Sequence, residues 1–227
     1  MKFHRNILAI DASAETERII QTLRNSVGRE MHRRGAVLGI SGGIDSSVVL
    51  ALCVRAFGPQ PVVALILPDR DSDPTSESYA RQVANKFGIQ PILVNITRIL
   101  EAYGCYHRRD EAIQRVFPEY DPALGFKAKI VLPSNLIEGT TLNTFSLSIT
   151  TPSGEERTHR LTASEFLQIE AASNLKQRTR MSMLYYHSER LNYAVVGTTN
   201  RDEHEQGFFV KYGDGGVDIQ PIAHLYK

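Results

Sequence analysis

The run Ser41-Gly42-Gly43-Ile44-Asp45-Ser46, set between the apolar stretch Ala36 to Ile40 and a helical pattern from Ser47 to Phe57, constrains this chain more than any other feature. A buried strand that turns through two glycines into a helix is the opening βα unit of an α/β domain. Adjacent glycines let the backbone turn tightly and approach an anion, while the N–H groups of the turn and of the helix's first residues point at it. Asp45 adds a carboxylate where a metal ion would bridge phosphates. The run is not a Walker A loop, which requires Gly-x-x-x-x-Gly-Lys-Ser/Thr, and no lysine follows here.

The remaining pattern extends the same theme. Ile19, Leu23, Val27 and Met31 recur at steps of four, which predicts an amphipathic helix over Ser13 to Arg33, ended by Gly35. After the glycine loop come a strand over Val62 to Leu67, closed by Pro68, a helix over Ser76 to Phe87, ended by Gly88, and a strand over Pro91 to Ile96. Strands alternating with helices predict a doubly wound α/β fold: a mainly parallel sheet with right-handed crossovers and helices on both faces. Ligands of such sheets sit at the carboxyl ends of the strands. The ends at Ile40, Leu67 and Val196 therefore bring the glycine loop, the Leu67-Pro68-Asp69 turn and Gly197-Thr198 to one edge. Between Glu101 and Thr162 the alternation breaks. Phe145, Leu147 and Ile149, the turn Pro152-Ser153-Gly154 and renewed alternation toward Leu161 read as a β-hairpin. Thr162-Ala163-Ser164-Glu165 has capping-box spacing and predicts a helical region toward Tyr193, with a break near Ser173-Asn174.

A second run adds Gly197-Thr198-Thr199-Asn200-Arg201-Asp202-Glu203, then Lys211-Tyr212-Gly213-Asp214-Gly215-Gly216-Val217-Asp218, ending in Leu225-Tyr226-Lys227. Its glycines and acids are too dense for a core. Ser-Gly-Gly-x-Asp-Ser resembles the pyrophosphate loop of ATP pyrophosphatases, the adenine nucleotide alpha hydrolase-like superfamily. Taken with the second run, the chain resembles the ammonia-dependent NAD synthetase family, whose members carry Gly-Thr-x-x-x-x-Glu followed by Lys-Tyr-Gly-Asp-Gly-Gly-x-Asp. Asn174-Leu175-Lys176-Gln177-Arg178-Thr179-Arg180-Met181 likewise resembles that family's Asn-x-Lys-x-Arg-x-Arg-Met helix. Asn174 and Arg178 are four apart and share a helix face, while Arg180 points elsewhere.

The resemblance implies amidation of deamido-NAD to NAD through an acyl-adenylate, with ATP as co-substrate, ammonia as nitrogen donor and AMP plus pyrophosphate as products. It implies that Gly39, Ile40, Ser41, Gly42, Gly43, Ile44, Asp45, Ser46, Thr198 and Lys227 surround ATP. It further implies that Asp45 and Glu203 are ligands of magnesium, and that Arg178, Lys211 and Asp218 contact deamido-NAD. Asp45, Glu203, Lys211 and Lys227 are the expected catalytic set. His204 and His224 flank these motifs without a motif role and are expected on the surface. The family also implies a homodimer. Part of Tyr103 to Thr162 reads as an insertion relative to the family, and the resemblance implies a further C-terminal tail beyond Lys227, so that either a fragment or a site completed differently is expected. Residues 1–227 read as a single synthetase-like domain. With no glutaminase domain in front, free ammonia is the expected nitrogen source, unless a separate glutaminase subunit delivers it. Two other readings stay open: a ligase of the same superfamily that adenylates another carboxylate, separable by substrate competition, and a non-catalytic nucleotide-binding protein, which would bind ATP without releasing pyrophosphate.

Composition narrows the classes further. The formal net charge is +1, with 26 basic and 25 acidic residues, which argues against general nucleic-acid binding. Only Cys53 and Cys105 occur, without metal-ligand spacing, and Cys53 lies in an apolar helical run where a small buried thiol is expected. Met1 to Asn6 leads into a short apolar patch that soon meets Asp11 and Glu15, unlike a signal peptide, and no apolar run reaches membrane length. A cytoplasmic protein without a membrane partner is expected.

Overall fold

The computed structural model describes residues 8–131 and 145–227, and within them the chain forms two compact units. The reading of Met1 to Asn6, and the part of the expected insertion from 132 to 144, lie outside the described residues.

The first unit comprises residues up to Arg98 and those from Gln177 onward. Its frame is a parallel sheet in the order β3-β2-β1-β7, built from β1 (Ala36–Gly39), β2 (Val62–Ile66), β3 (Ile92–Leu93) and β7 (Ala194–Val195). The expected parallel α/β sheet is thus present. Its middle strands are unbroken apolar runs because helices cover them from both sides. On one face Leu38, Ile40, Ala64 and Ile66 pack against three helices. Ile19, Ile20 and Leu23 come from α1 (Ala12–Leu23), Val49, Leu50 and Cys53 from α2 (Ile44–Phe57), and Ala80 and Ala84 from α3 (Pro74–Lys86). On the opposite face a Cβ at Gly39 would lie 4.0 Å from the methyls of Leu184, on α6 (Ala163–Leu191). Cys53 is fully buried, and desolvation pushes its thiol up to about 12, so it packs as an inert small hydrophobe.

Element ends depart from the sequence reading for local reasons. Asp11 caps α1 by accepting the N–H groups of Ser13 and Ala14 at 3.0 and 3.1 Å. The helix then passes into a π-helical turn, Arg24–Glu30, which ends before His32 at φ 53. Asp73 caps α3, and its bonds to Thr75 hold its carboxyl below the usual carboxylate range. Proline at the first turn starts α3 two residues earlier than Ser76. α2 begins at Ile44 rather than Ser47, so Asp45 and Ser46 belong to the helix's first turn and not to the loop.

After α4 (Thr97–Ala102), which runs into it, the second unit, Ile99–Lys176, contains α5 (Cys105–Val116) and an antiparallel sheet β4-β5-β6, followed by the first part of α6. β5 (Ser146–Thr150) and β6 (Glu156–Arg160) are the expected hairpin, with Leu147 opposite His159 and Ile149 opposite Arg157. Leu147 and Ile149 enter a core with Ala112, Ile113, Phe117, Leu161 and Ile169. β4 (Lys127–Val131) has no counterpart in the sequence reading, since Lys127 and Lys129 give it the charged pattern of an edge strand. The Thr162–Glu165 capping box forms, with the Thr162 N–H bonded to the Glu165 carboxylate at 3.2 Å. The break expected near Ser173-Asn174 is absent, and α6 runs continuously from Ala163 to Leu191. No helix among the described residues is long and apolar enough to cross a membrane.

Candidate functional site

The chain steps outward from β1 to β2 and β3, then returns to the other side of β1 with β7. That reversal is the topological switch point, where the first turns after two neighbouring strands splay apart and leave a crevice. A cleft of about 420 Å³ occupies this position in the first unit, lined by Gly39 to Ser41, Leu65 to Pro68 and Val196 to Thr198. All three expected strand ends meet there. Its size is that of a small-molecule site.

The glycine loop is locked by its neighbours. Gly42 sits at φ +80, where an added Cβ would fall 2.5 Å from Tyr79 Cβ and 2.9 Å from the Ala80 nitrogen. Backbone, not a side chain, is thus what this turn presents. Gly43 occupies the N-cap position of α2, and its carbonyl accepts the hydroxyls of Ser46 at 3.0 Å and Ser47 at 2.7 Å. The Ser46 hydroxyl also accepts the Ser41 N–H at 3.3 Å. Asp45 lies in the first turn of α2, where the helix dipole favours its charge, and its Oδ2 is 3.1 Å from Lys227 Nζ. Gly42→Ala is expected to destabilise the chain by about 2 kcal/mol, the sum of left-handed strain and a steric clash, with a matching drop in melting temperature on calorimetry.

Of the residues expected around nucleotide and metal, Gly39, Ile40, Ser41, Ser46, Thr198 and Glu203 line the cleft. Glu203 is also the third residue of a capping box on α7 (Arg201–Glu205): its Oε2 accepts the Asn200 N–H at 3.1 Å, and Asn200 Oδ1 accepts the Glu203 N–H at 3.0 Å. The expected dinucleotide residues are distributed differently. Arg178 Nε donates to the Lys211 carbonyl at 3.3 Å, which brings that pair together, and the Lys211 ammonium lies 5.0 Å from the Tyr212 ring centroid. Asp218 is exposed but engaged by its neighbours: Oδ2 accepts the Val195 N–H at 2.8 Å, and Oδ1 accepts the Tyr185 hydroxyl at 2.9 Å. Its carboxylate ties the glycine-rich run to β7. None of Arg178, Lys211 and Asp218 lines the cleft.

Two groups at the site escaped the sequence reading. Arg180 points elsewhere than Arg178, as helical spacing implies, but its destination was not read: its Nε donates to the Leu67 carbonyl at 3.0 Å, and a second nitrogen pairs with Asp69 Oδ2 at 2.8 Å, so it braces the end of β2 from inside the cleft wall. The Leu67-Pro68-Asp69 turn was the available signal for such a partner. Tyr185 is the other. Desolvation first, and then the Asp218 carboxylate, push its phenol up to about 12. A folded-state value above the unfolded one, about 10, means that its contribution is complete below about pH 10 and vanishes as pH rises through about 12. Tyr185→Phe is expected to remove that alkaline dependence from the melting temperature. The two flanking histidines are exposed, and His224 Nε2 lies 2.6 Å from Glu15 Oε1, a carboxyl that Arg18 and then His224 hold below its usual range.

A profile described as NAD synthase matches residues 15–117 and 133–227. The chain is 51% identical over 221 residues to the NH3-dependent NAD(+) synthetase of Rhizobium rhizogenes, covering 97% of this chain and 65% of that protein. It is 39% identical over 211 residues to the protein of that name from Thermotoga maritima, covering 93% and 68%. Among solved structures it is similar to the NH3-dependent NAD synthetase of Campylobacter jejuni in complex with the nitrate ion, at 25% identity and a TM-score of 0.65, covering 96% of this chain and 70% of that one. The chain spans about two thirds of the length of the curated relatives it matches. The stretch left between the two matched blocks, 118–132, falls inside the interval read as an insertion.

Proposed function

The chain belongs to the NAD synthase family, and from that premise we propose that it amidates deamido-NAD to NAD with ATP and ammonia, releasing AMP and pyrophosphate. The observation that carries the proposal is the glycine loop, which opens on the switch-point cleft with a turn that only glycine at position 42 fits. In the first step a carboxylate oxygen of the nicotinic acid attacks the α-phosphorus of ATP, and the bond to the β-phosphate oxygen breaks. In the second, ammonia adds to the acyl carbon, AMP leaves with the transferred oxygen, and the surplus proton is lost to solvent.

Charge develops on the departing pyrophosphate, so preorganised donors supply most of the catalysis. In this reading the backbone N–H groups of Gly42, Gly43 and Ile44, the hydroxyls of Ser41 and Ser46, and Lys227 receive that charge. Gly39 and Ile40 form the floor beneath the nucleotide, and Thr198 contacts it from the end of β7. Arg178, Lys211 and Asp218 are assigned to the dinucleotide, Arg178 and Lys211 by direct contact and Asp218 through the run it anchors. Asp45 and Glu203 would hold magnesium. Their oxygens are the hard donors that ion prefers, and among the described residues no cluster of three or more His, Cys, Asp or Glu is disposed to cage a metal. That sparse donor set fits an ion bound by one or two carboxylates together with phosphates. When bound, it would neutralise the leaving pyrophosphate. A homodimer in the cytoplasm, with ammonia either free or delivered by a separate glutaminase subunit, completes the proposal.

Oxygen tracing tests the first step. With the deamido-NAD carboxylate labelled with oxygen-18, one label is expected in the AMP phosphate, read by mass spectrometry. Unlabelled AMP accompanying labelled NAD would sink the adenylate route.

A further inference from the structure

Lys227 stands where a cation belongs. Its ammonium is 3.1 Å from Asp45 Oδ2, on a carboxylate only 22% exposed, while the lysine side chain itself is 58% exposed. The main chain behind it is fastened to α7. The Lys227 N–H donates to Asp202 Oδ2 at 2.9 Å, the Arg201 N–H donates to the Leu225 carbonyl at 2.9 Å, and the Arg201 guanidinium lies 4.8 Å from the Tyr226 ring centroid. A fixed backbone thus carries a flexible four-carbon stem whose head is a compact point charge, free to swing over a few ångströms. The same short helix carries Glu203, the second carboxylate assigned to the metal.

We infer that Lys227 competes with the divalent cation for Asp45, so that metal enters together with the nucleotide's phosphates and not ahead of them. The inference rests on the assignment of Asp45 as a metal carboxylate in the proposed function. Two positive groups cannot share one carboxylate oxygen without strong repulsion. The triphosphate removes the conflict because it offers the ammonium a better acceptor, and the vacated carboxylate then faces the metal that the phosphates bring in. An ion pair this exposed contributes little to stability, which leaves it available as a switch.

The test is manganese binding without nucleotide, read from the free-ion signal in electron paramagnetic resonance. The unaltered chain, Lys227→Met, Lys227→Arg and the double variant Asp45→Asn with Lys227→Met are compared, each checked for folding by circular dichroism. Removing one positive charge about 4 Å from a divalent ion changes affinity by about tenfold or more, even in water. Lys227→Met should therefore bind manganese about tenfold more tightly than the unaltered chain. Lys227→Arg should bind as weakly as the unaltered chain, and the double variant should lose the gain. No gain in Lys227→Met, no measurable binding by it, or a gain that survives loss of Asp45 would overturn the inference. A chain showing the expected pattern yet making no NAD would remove the functional reading alone; NAD synthesis without the shift would remove the inference alone.

Discussion

Asp45→Asn is expected to lower the turnover number for NAD formation about 10³-fold, some 4 kcal/mol of barrier, while changing stability by no more than about 1 kcal/mol. The two effects separate because of where Asp45 lies. Its carboxylate is partly exposed in the first turn of α2 and pairs with Lys227, not with the core. Asparagine preserves the shape and removes the charge, so the folded state loses only a helix-dipole term and a half-exposed ion pair. The reaction loses an anion needed to hold the metal on the leaving pyrophosphate. Steady-state kinetics beside thermal denaturation read both quantities; an equal collapse of folding and turnover would contradict the assignment.

Arg180→Met is expected to destabilise the chain by about 3 kcal/mol, lowering the melting temperature by roughly 6–12 °C for a chain of this size. The Asp69 side chain is 3% exposed and Arg180 27%, so methionine takes away the cation facing a buried carboxylate and a donor to the Leu67 carbonyl. Breaking one side of such a pair costs far more than the pair contributes as a whole. Adding Asp69→Asn should therefore restore much of the loss, a coupling that scanning calorimetry on the two single variants and the double variant would measure. A single variant as stable as the unaltered chain would show that Arg180 does not brace the end of β2.

What was legible in the sequence was whatever depended on buried periodicity. Ala36 to Ile40 and Val62 to Leu67 read as strands because a parallel strand covered on both faces is a continuous apolar run, and their ends then placed the glycine loop, Leu67 and Thr198 at one edge. Interactions that cross the chain were not legible. Arg180 and Asp69 are 111 positions apart, so helical spacing separated Arg180 from Arg178 but could not name a partner that lies on another element. β4 went unread because its alternation, Lys127-Ala128-Lys129-Ile130, is short and carries one large apolar side chain, too weak a signal on an edge strand. α2 was started too late because Ile44, Asp45 and Ser46 read as loop residues, whereas the Ser46 hydroxyl bonds back to the Gly43 carbonyl and stays within the helix's first turn. The break foreseen in α6 at Ser173-Asn174 rested on local propensity, which the packing of a long helix overrides. Asp218 reads as a ligand contact in its motif, and in the fold its two oxygens engage Val195 and Tyr185.

The central claim is most directly tested by incubating the chain with ATP, magnesium and deamido-NAD, with ammonium in one sample and glutamine in another, following NAD and pyrophosphate together. Equal amounts of NAD and pyrophosphate with ammonium, and none with glutamine, is the predicted result. Pyrophosphate without NAD, or neither product, would contradict it.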